Sequence, residues 1–156
     1  MRWDVQGPEA VATDILVTIP YTHARRTEIV IDTDEFSAVC PWSGLPDFAT
    51  LTLRYLPSDR YLELKSFKYY LTSFRNVGIF QEDANNRIID DLVRCLDPLW
   101  LEVTLDYKIR GGLHTVTRNL YHQLEFGATY DLAGDQLIHA AEGIDWQTWR
   151  EEQRLS

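Results

Sequence analysis

The chain has 156 residues, with 15 lysines and arginines against 24 aspartates and glutamates, a formal net charge of −9 at neutral pH. That balance excludes a broadly basic nucleic-acid binder, which depends on counterion release from a cationic face. At 45% hydrophobic and 12% aromatic the composition is that of one folded domain rather than a disordered chain. Two cysteines are too few for a secreted disulfide framework, and no stretch approaches the ~20 apolar residues of a membrane span. A cytoplasmic protein with no membrane or nucleic-acid partner is the expectation.

Residues 1–24 mix Gly, Pro, Thr and charge without a sustained period and read as an N-terminal arm or an irregular lead-in. Arg26 to Thr33 is β-branched and short, and Ala49, Leu51, Leu53 and Tyr55 alternate with polar residues as a strand with one buried face. Leu64, Phe67, Leu71 and Phe74 fall at helical spacing. A second helix is predicted from about Glu82 to Leu96, with Ile88, Ile89, Leu92, Val93 and Leu96 inside and Pro98 as its stop. Leu99, Leu101, Val103, Leu105, Tyr107 and Ile109 then alternate against Trp100, Glu102 and other polar positions. Gly111-Gly112 signals a hairpin, and the Thr-rich return runs from Leu113 to Tyr121. The order strand, strand, helix, helix, strand, strand is α+β: a four-stranded antiparallel sheet with two helices on one face, over residues 25–123. Residues 124–156, with Leu137, Ile138, Ile144, Trp146 and Trp149 among acids, are expected to form a docked helical extension.

Cys40 stands between two predicted strands in a loop punctuated by Pro41, Gly44 and Pro46, with Asp47 seven residues on. A nucleophilic cysteine needs a proton partner, which Asp47 can supply. The same pattern also describes a half-buried cysteine beside a turn aspartate. Cys95 sits among core positions of the second helix and reads as packing. Neither cysteine has zinc-ligand spacing, the four histidines form no ligand motif, and no metal is expected. Lys65 and Lys68, three apart in Glu63-Leu64-Lys65-Ser66-Phe67-Lys68, share one face at the start of the first helix and form either an anion site or a solvated face. Glu82 opens the second helix, where the dipole favours a carboxylate. It is also placed to accept two hydrogen bonds from a planar, guanine-like donor edge.

Taken together and in order, Val39-Cys40-Pro41, Gly44-x-Pro46-Asp47-Phe48-Ala49, Glu63-x-Lys65-Ser66-x-Lys68, Tyr70-Leu71-x-Ser73-Phe74-Arg75-Asn76 and Arg110-Gly111-Gly112 resemble the unimodular NADPH-dependent 7-cyano-7-deazaguanine reductases. These are the nitrile reductases of queuosine biosynthesis. The resemblance runs from about Thr33 to Tyr121. It implies the tunnelling fold, in which subunits join their sheets into a ring, as a pentamer or a stacked pair of pentamers, with active sites between subunits.

By the same resemblance Cys40 matches the nucleophile and Asp47 the general acid. Glu63 and Glu82 match the carboxylates that grip the deazapurine substrate, with Ser66 and Gln81 counted to the same site. Lys65, Lys68 and Arg110 match the region that holds NADPH. The implied reaction passes through a covalent thioimide on Cys40 and consumes two NADPH per aminomethyl product.

The chain departs from the family's pattern at Gln81, where members usually carry histidine, and at Ala84, often a cysteine in relatives. In relatives the cysteine at Ala84's position is implied to pair with the catalytic thiol; Cys95 lies 11 residues further along the helix, ~16 Å from Ala84, too distant to take its place without rearrangement. Two other functions compete. One resembles the archaeal amidinotransferases that act on a cyano-deazaguanine already in tRNA, and the other is a non-catalytic purine- or pterin-binding assembly protein.

Overall fold

The computed structural model describes residues 4–123, 128–131 and 136–139. In chain order they form two 3-10 turns (Pro8–Ala10 and Thr13–Ile15), strands β1 (Thr18–Pro20), β2 (Ile29–Val39), β3 (Pro46–Leu56) and β4 (Arg60–Leu62), helices α1 (Leu64–Thr72) and α2 (Gln81–Leu96), strands β5 (Trp100–Tyr107) and β6 (Val116–His122), and the short β7 (Ala128–Asp131) and β8 (Gln136–His139). The period-2 rows of β3 and β5 are both buried, and their register sets Leu51 opposite Leu105 and Leu53 opposite Val103. Two apolar rows therefore run side by side through the centre of a four-stranded antiparallel sheet of order β2-β3-β5-β6. Phe67, Tyr70 and Leu71 of α1 and Ile88, Leu92 and Leu96 of α2 join these rows in one core. Each such side chain contributes about 1.5–3 kcal/mol on burial. Trp100 and Glu102, on the alternate positions of β5, are buried as well.

Two buried polar groups fix how the helices sit. Asn85 of α2 donates to the Val103 and Thr117 carbonyls at 3.1 Å each and accepts from Asn119 at 3.0 Å, tying α2 to β5 and β6. Asp91 accepts from Tyr70 at 2.8 Å, Arg87 at 2.8 Å and Thr13 at 3.1 Å, joining both helices to the N-terminal segment. With the polar atoms matched, these groups specify one helix placement rather than cost stability.

Three stretches differ from the sequence expectation. β2 is longer than Arg26–Thr33 because a bulge between Thr33 and Phe36 inserts one extra residue and lets pairing with β3 resume as far as Val39 and Pro46. The acidic residues Asp34 and Glu35 fall in this bulge, so alternation breaks there although the strand continues. The N-terminal segment is no free arm. Gln6 exchanges backbone hydrogen bonds with Asn76 and Gly78, Val11 is buried, and β1 pairs with β4 in a ribbon. Anchors this scattered leave no period in the sequence. In the C-terminal region Ala128–Asp131 pairs with Gln136–His139 as antiparallel strands. These two stretches, which include Leu137 and Ile138, are extended rather than helical, as their Thr, Tyr and Ile content favours. Ile144, Trp146 and Trp149 lie outside the described residues.

Candidate active site

The β2 bulge sets the position of Cys40. Before it, Ile29 and Ile31 point inward; after it, the inward positions are Phe36 and Ala38, the row that Cys40 continues one step beyond the strand. A one-residue slip exchanges the two faces of a strand, so without the bulge this end of β2 would turn its other row to the core. The loop after β2 is closed by hydrogen bonds from Cys40 N–H to the Leu45 carbonyl and from Gly44 N–H to the Cys40 carbonyl, each 2.9 Å. Gly44 takes φ 68°, a left-handed conformation that a side chain disfavours.

Cys40 is 8% exposed. Hydrogen bonding by the Ser43 side chain and the Ser43 N–H, with smaller help from the Trp42 N–H and Arg110, brings its thiol from 9.0 down to about 7 against the opposing effect of burial. A thiol poised there is substantially thiolate at neutral pH. Ser43 was not among the residues singled out in the sequence; a hydroxyl three residues after a cysteine, in a Pro- and Gly-punctuated turn, is the signal that marks it.

Asp47 is the second residue of β3 rather than a residue ahead of it, and it stands opposite Ala38 in the register. It shares the inward row with Ala49 and Leu51, yet it lies where the sheet runs out under the start of α2, and it is 5% exposed. Burial raises its carboxyl above the ordinary aspartate value, while Arg110 and Gln81 pull the other way. Arg110 Nη1 donates to Asp47 Oδ1 at 2.6 Å, and Gln81 Nε2 donates to the same oxygen at 3.3 Å. Glu82, exposed on the next position of α2, acts on Asp47 through its charge. Tyr107 donates its hydroxyl to the Gln81 carbonyl at 3.3 Å and so fixes the first turn of α2 over the end of β5. Arg110 comes from the hairpin after β5, a two-residue turn in which Gly111 and Gly112 both take positive φ while Arg110 and Leu113 exchange backbone hydrogen bonds.

Cys40, Asp47, Gln81, Glu82 and Arg110 thus meet at one end of the sheet, and within the chain Arg110 stands with Asp47 rather than beside the α1 lysines. The second group of expected residues lies elsewhere in the chain's fold. Leu62 N–H donates to the Tyr55 hydroxyl, and Asp47 to Tyr55 along β3 is ~26 Å, so Glu63 and the start of α1 stand far from the thiol.

There Glu63 is the N-cap of α1, accepting from Lys65 N–H at 2.8 Å and Ser66 N–H at 2.7 Å, bonds that hold its carboxyl below the usual range. Ser66 is buried; its hydroxyl accepts from Val17 N–H at 3.0 Å and donates to the Glu63 carbonyl at 2.8 Å. The helix-end amides are therefore already occupied by Glu63, and an anion here would meet the lysine ammoniums instead. Lys65 and Lys68 are both exposed, Lys65 lying 6.0 Å from the Tyr69 ring and Lys68 paired with Glu35 of the bulge. Among the described residues no three His, Cys, Asp or Glu side chains are grouped to hold a metal ion, and no helix is long and apolar enough to cross a membrane.

The model of the QueF-like protein family matches residues 46–125, from Asp47's strand through the Arg110 hairpin and β6. The chain belongs to this family. It is 53% identical over 115 residues, 73% of its length and 88% of the relative's, to a protein of Caldicellulosiruptor bescii named NADPH-dependent 7-cyano-7-deazaguanine reductase. A protein of the same name from Caldanaerobacter subterraneus subsp. tengcongensis is 49% identical over 126 residues, 80% of this chain and 94% of that one. Among solved structures the apo archaeosine synthase QueF-Like aligns with a TM-score of 0.56 at 18% identity, covering 65% of this chain and 98% of that one. At that identity it bears on the fold alone, which it shares as an α+β antiparallel architecture.

Proposed function

We propose that the protein reduces the nitrile of 7-cyano-7-deazaguanine to the primary amine at the expense of two NADPH. One observation carries the reading: the buried Cys40 at the end of β2 and the buried Asp47 on the paired end of β3, the latter held by Arg110 and Gln81, stand together at one end of the sheet. Relatives about half identical, matched over nearly their full length, carry the name of that activity.

The residues act as follows. The Cys40 thiolate adds to the nitrile carbon while Asp47, as the acid, gives its proton to the nitrile nitrogen; a C–S bond forms, one C–N π bond is lost, and Asp47 is left as the carboxylate. The product is a thioimide, a far better hydride acceptor than the nitrile. NADPH, when bound, would supply two hydrides, one to the thioimide carbon and one to the imine that follows, and the amine nitrogen takes its second proton from water by way of Asp47. Between the hydrides the Cys40 thiolate leaves, stabilised by Ser43 and the loop N–H groups that set its acidity. Glu82, exposed beside Asp47, accepts hydrogen bonds from the donor edge of the deazapurine, and Gln81 orients Asp47 without carrying a proton of its own.

Lys65 and Lys68 suit the cofactor's phosphates as exposed ammoniums on one helix face. Lys65, beside the Glu63 cap, stands far from the thiol within one chain, and Lys68 meets Glu35, five residues before Cys40 on β2; the complete site of this reading takes Cys40 and Asp47 from one subunit and the α1 lysines from a neighbour. A ring closed through the open edges of β2 and β6, as in the tunnelling fold, provides that arrangement.

Mixing the protein with 7-cyano-7-deazaguanine and NADPH tests the reading. It requires two NADPH oxidised per amine formed. An adduct on Cys40 without NADPH oxidation would instead support the amidinotransferase reading, which Gln81 keeps alive.

A further inference from the structure

Among the described residues the most exposed large apolar side chain, Trp42, stands two residues from Cys40 and has no part in the chemistry above. It is 84% exposed, against 40% for Phe80, and the two rings meet nearly perpendicular, at 85° with centroids 5.6 Å apart. Trp42 is the middle residue of the turn that Gly44 N–H closes on the Cys40 carbonyl, and Phe80 is the N-cap of α2, one residue ahead of the Gln81 that holds Asp47. The aromatic pair therefore spans from the Cys40 loop to the helix end that carries Gln81 and Glu82. Both sides of that span are fixed by backbone. Val39 N–H donates to the Val77 carbonyl at 2.9 Å and Ile79 N–H donates to the Val39 carbonyl at 3.0 Å. Gly78 passes so near the loop that a Cβ there would stand 3.6 Å from Pro41 Cα. In a perpendicular pair at most one face of the indole is covered, so a firmly mounted flat surface is left open to water beside Cys40.

We propose that Trp42 is the stacking surface for the plane of the deazapurine, and so the residue that fixes the tilt of the ring over Cys40. This deepens the nitrile-addition reading and rests on it. In that reading Cys40 takes the nitrile and Glu82 the donor edge, so two edges of a flat ring are met and neither face is. A ring held only at its rim is free to tilt, whereas addition of a thiolate needs the nitrile carbon ~3–3.5 Å away along a set direction. An indole lying parallel to the ring removes that freedom. Because the turn and Phe80 hold the indole before anything binds, little ordering is lost on stacking. The groups around it, Gln81, Glu82 and Arg110, are polar, which suits a flat heterocycle with hydrogen-bonding edges better than an apolar side chain of a second copy.

The test is the rate of adduct formation on Cys40, followed by intact mass at increasing 7-cyano-7-deazaguanine without NADPH, which separates the half-saturating concentration from the maximal rate. In Trp42→Ala the half-saturating concentration rises about tenfold or more. Trp42→Phe recovers most of that loss, and Trp42→Leu, apolar but not flat, does not. Alkylation of Cys40 by iodoacetamide, which carries no ring to stack, keeps its pH profile in all three variants when read by peptide mass with Cys95 counted separately. An unchanged half-saturation in Trp42→Ala overturns the proposal, as does Trp42→Leu performing as well as Trp42→Phe. A displaced alkylation profile would make Trp42 a support of the loop, a smaller native mass of Trp42→Ala would make it part of a joint between copies, and a rise confined to the KM for NADPH would assign it to the cofactor; each overturns the proposal too. An adduct with unchanged half-saturation leaves the nitrile reading standing, whereas no adduct in wild type rejects that reading and this proposal with it.

Discussion

The two ends of the fold use similar residue types for opposite purposes. At the Cys40 end an aspartate is buried, shares one oxygen between an arginine and an amide, and holds its proton more tightly than usual. At the Glu63 end a carboxylate is stabilised by two backbone N–H groups and a serine hydroxyl is buried against the Val17 backbone. The first arrangement leaves proton affinity adjustable; the second fastens a helix to the N-terminal segment and leaves only the lysines facing outward. Motif order along the chain groups both ends as one site, and the fold of a single chain separates them.

The sharpest way to break this contrast is Asp47→Asn, which keeps a hydrogen-bonding group of the same shape but removes the acid. Turnover is expected to fall by ~10²–10⁴-fold, measured as NADPH oxidation with the nitrile substrate. Lys65→Ala combined with Lys68→Ala should raise the KM for NADPH about tenfold or more and leave adduct formation on Cys40 unaltered. Inactive Cys40→Ala protein mixed and reassembled with this double variant should recover about a quarter of the wild-type activity if each site draws on two subunits. No recovery would confine the site to one chain.

Ser66→Ala is expected to lower stability by about 1 kcal/mol in a thermal melt, with the Cys40 alkylation profile unmoved; the reverse pattern would place Ser66 with the chemistry. Smallest is Gln81→His, which restores a titratable group beside Asp47. It is expected to raise turnover by less than about tenfold or to displace its pH profile, and an unaltered profile would mean that the amide has replaced the imidazole in full.

Much of this was legible in the residues. The spacing of Ile88, Leu92 and Leu96 and the unbroken alternation from Leu101 to Tyr107 announce α2 and β5 because each buries one continuous row. The Gly111-Gly112 turn was equally plain, since only a two-residue reversal uses two left-handed positions this way. The end of β2 was hidden because Asp34 and Glu35 interrupt the alternation at the bulge that turns Cys40's row inward. Docking of the N-terminal segment was hidden for a related reason: Gln6, Val11 and Val17 each meet a partner distant in sequence. Arg110's partner was likewise invisible, because the family resemblance groups it with the lysine motif while no sequence spacing links it to Asp47, to which the hairpin delivers it. Ser43 escaped notice because its contact with the thiol depends on the curl of the loop rather than on spacing.

The most direct test of the account is the intact mass of the protein after mixing with 7-cyano-7-deazaguanine in the absence of NADPH. An adduct of one substrate per chain, mapped to Cys40, absent from Cys40→Ala and discharged on adding NADPH, is the predicted result. No adduct, or one mapped to Cys95, would contradict it.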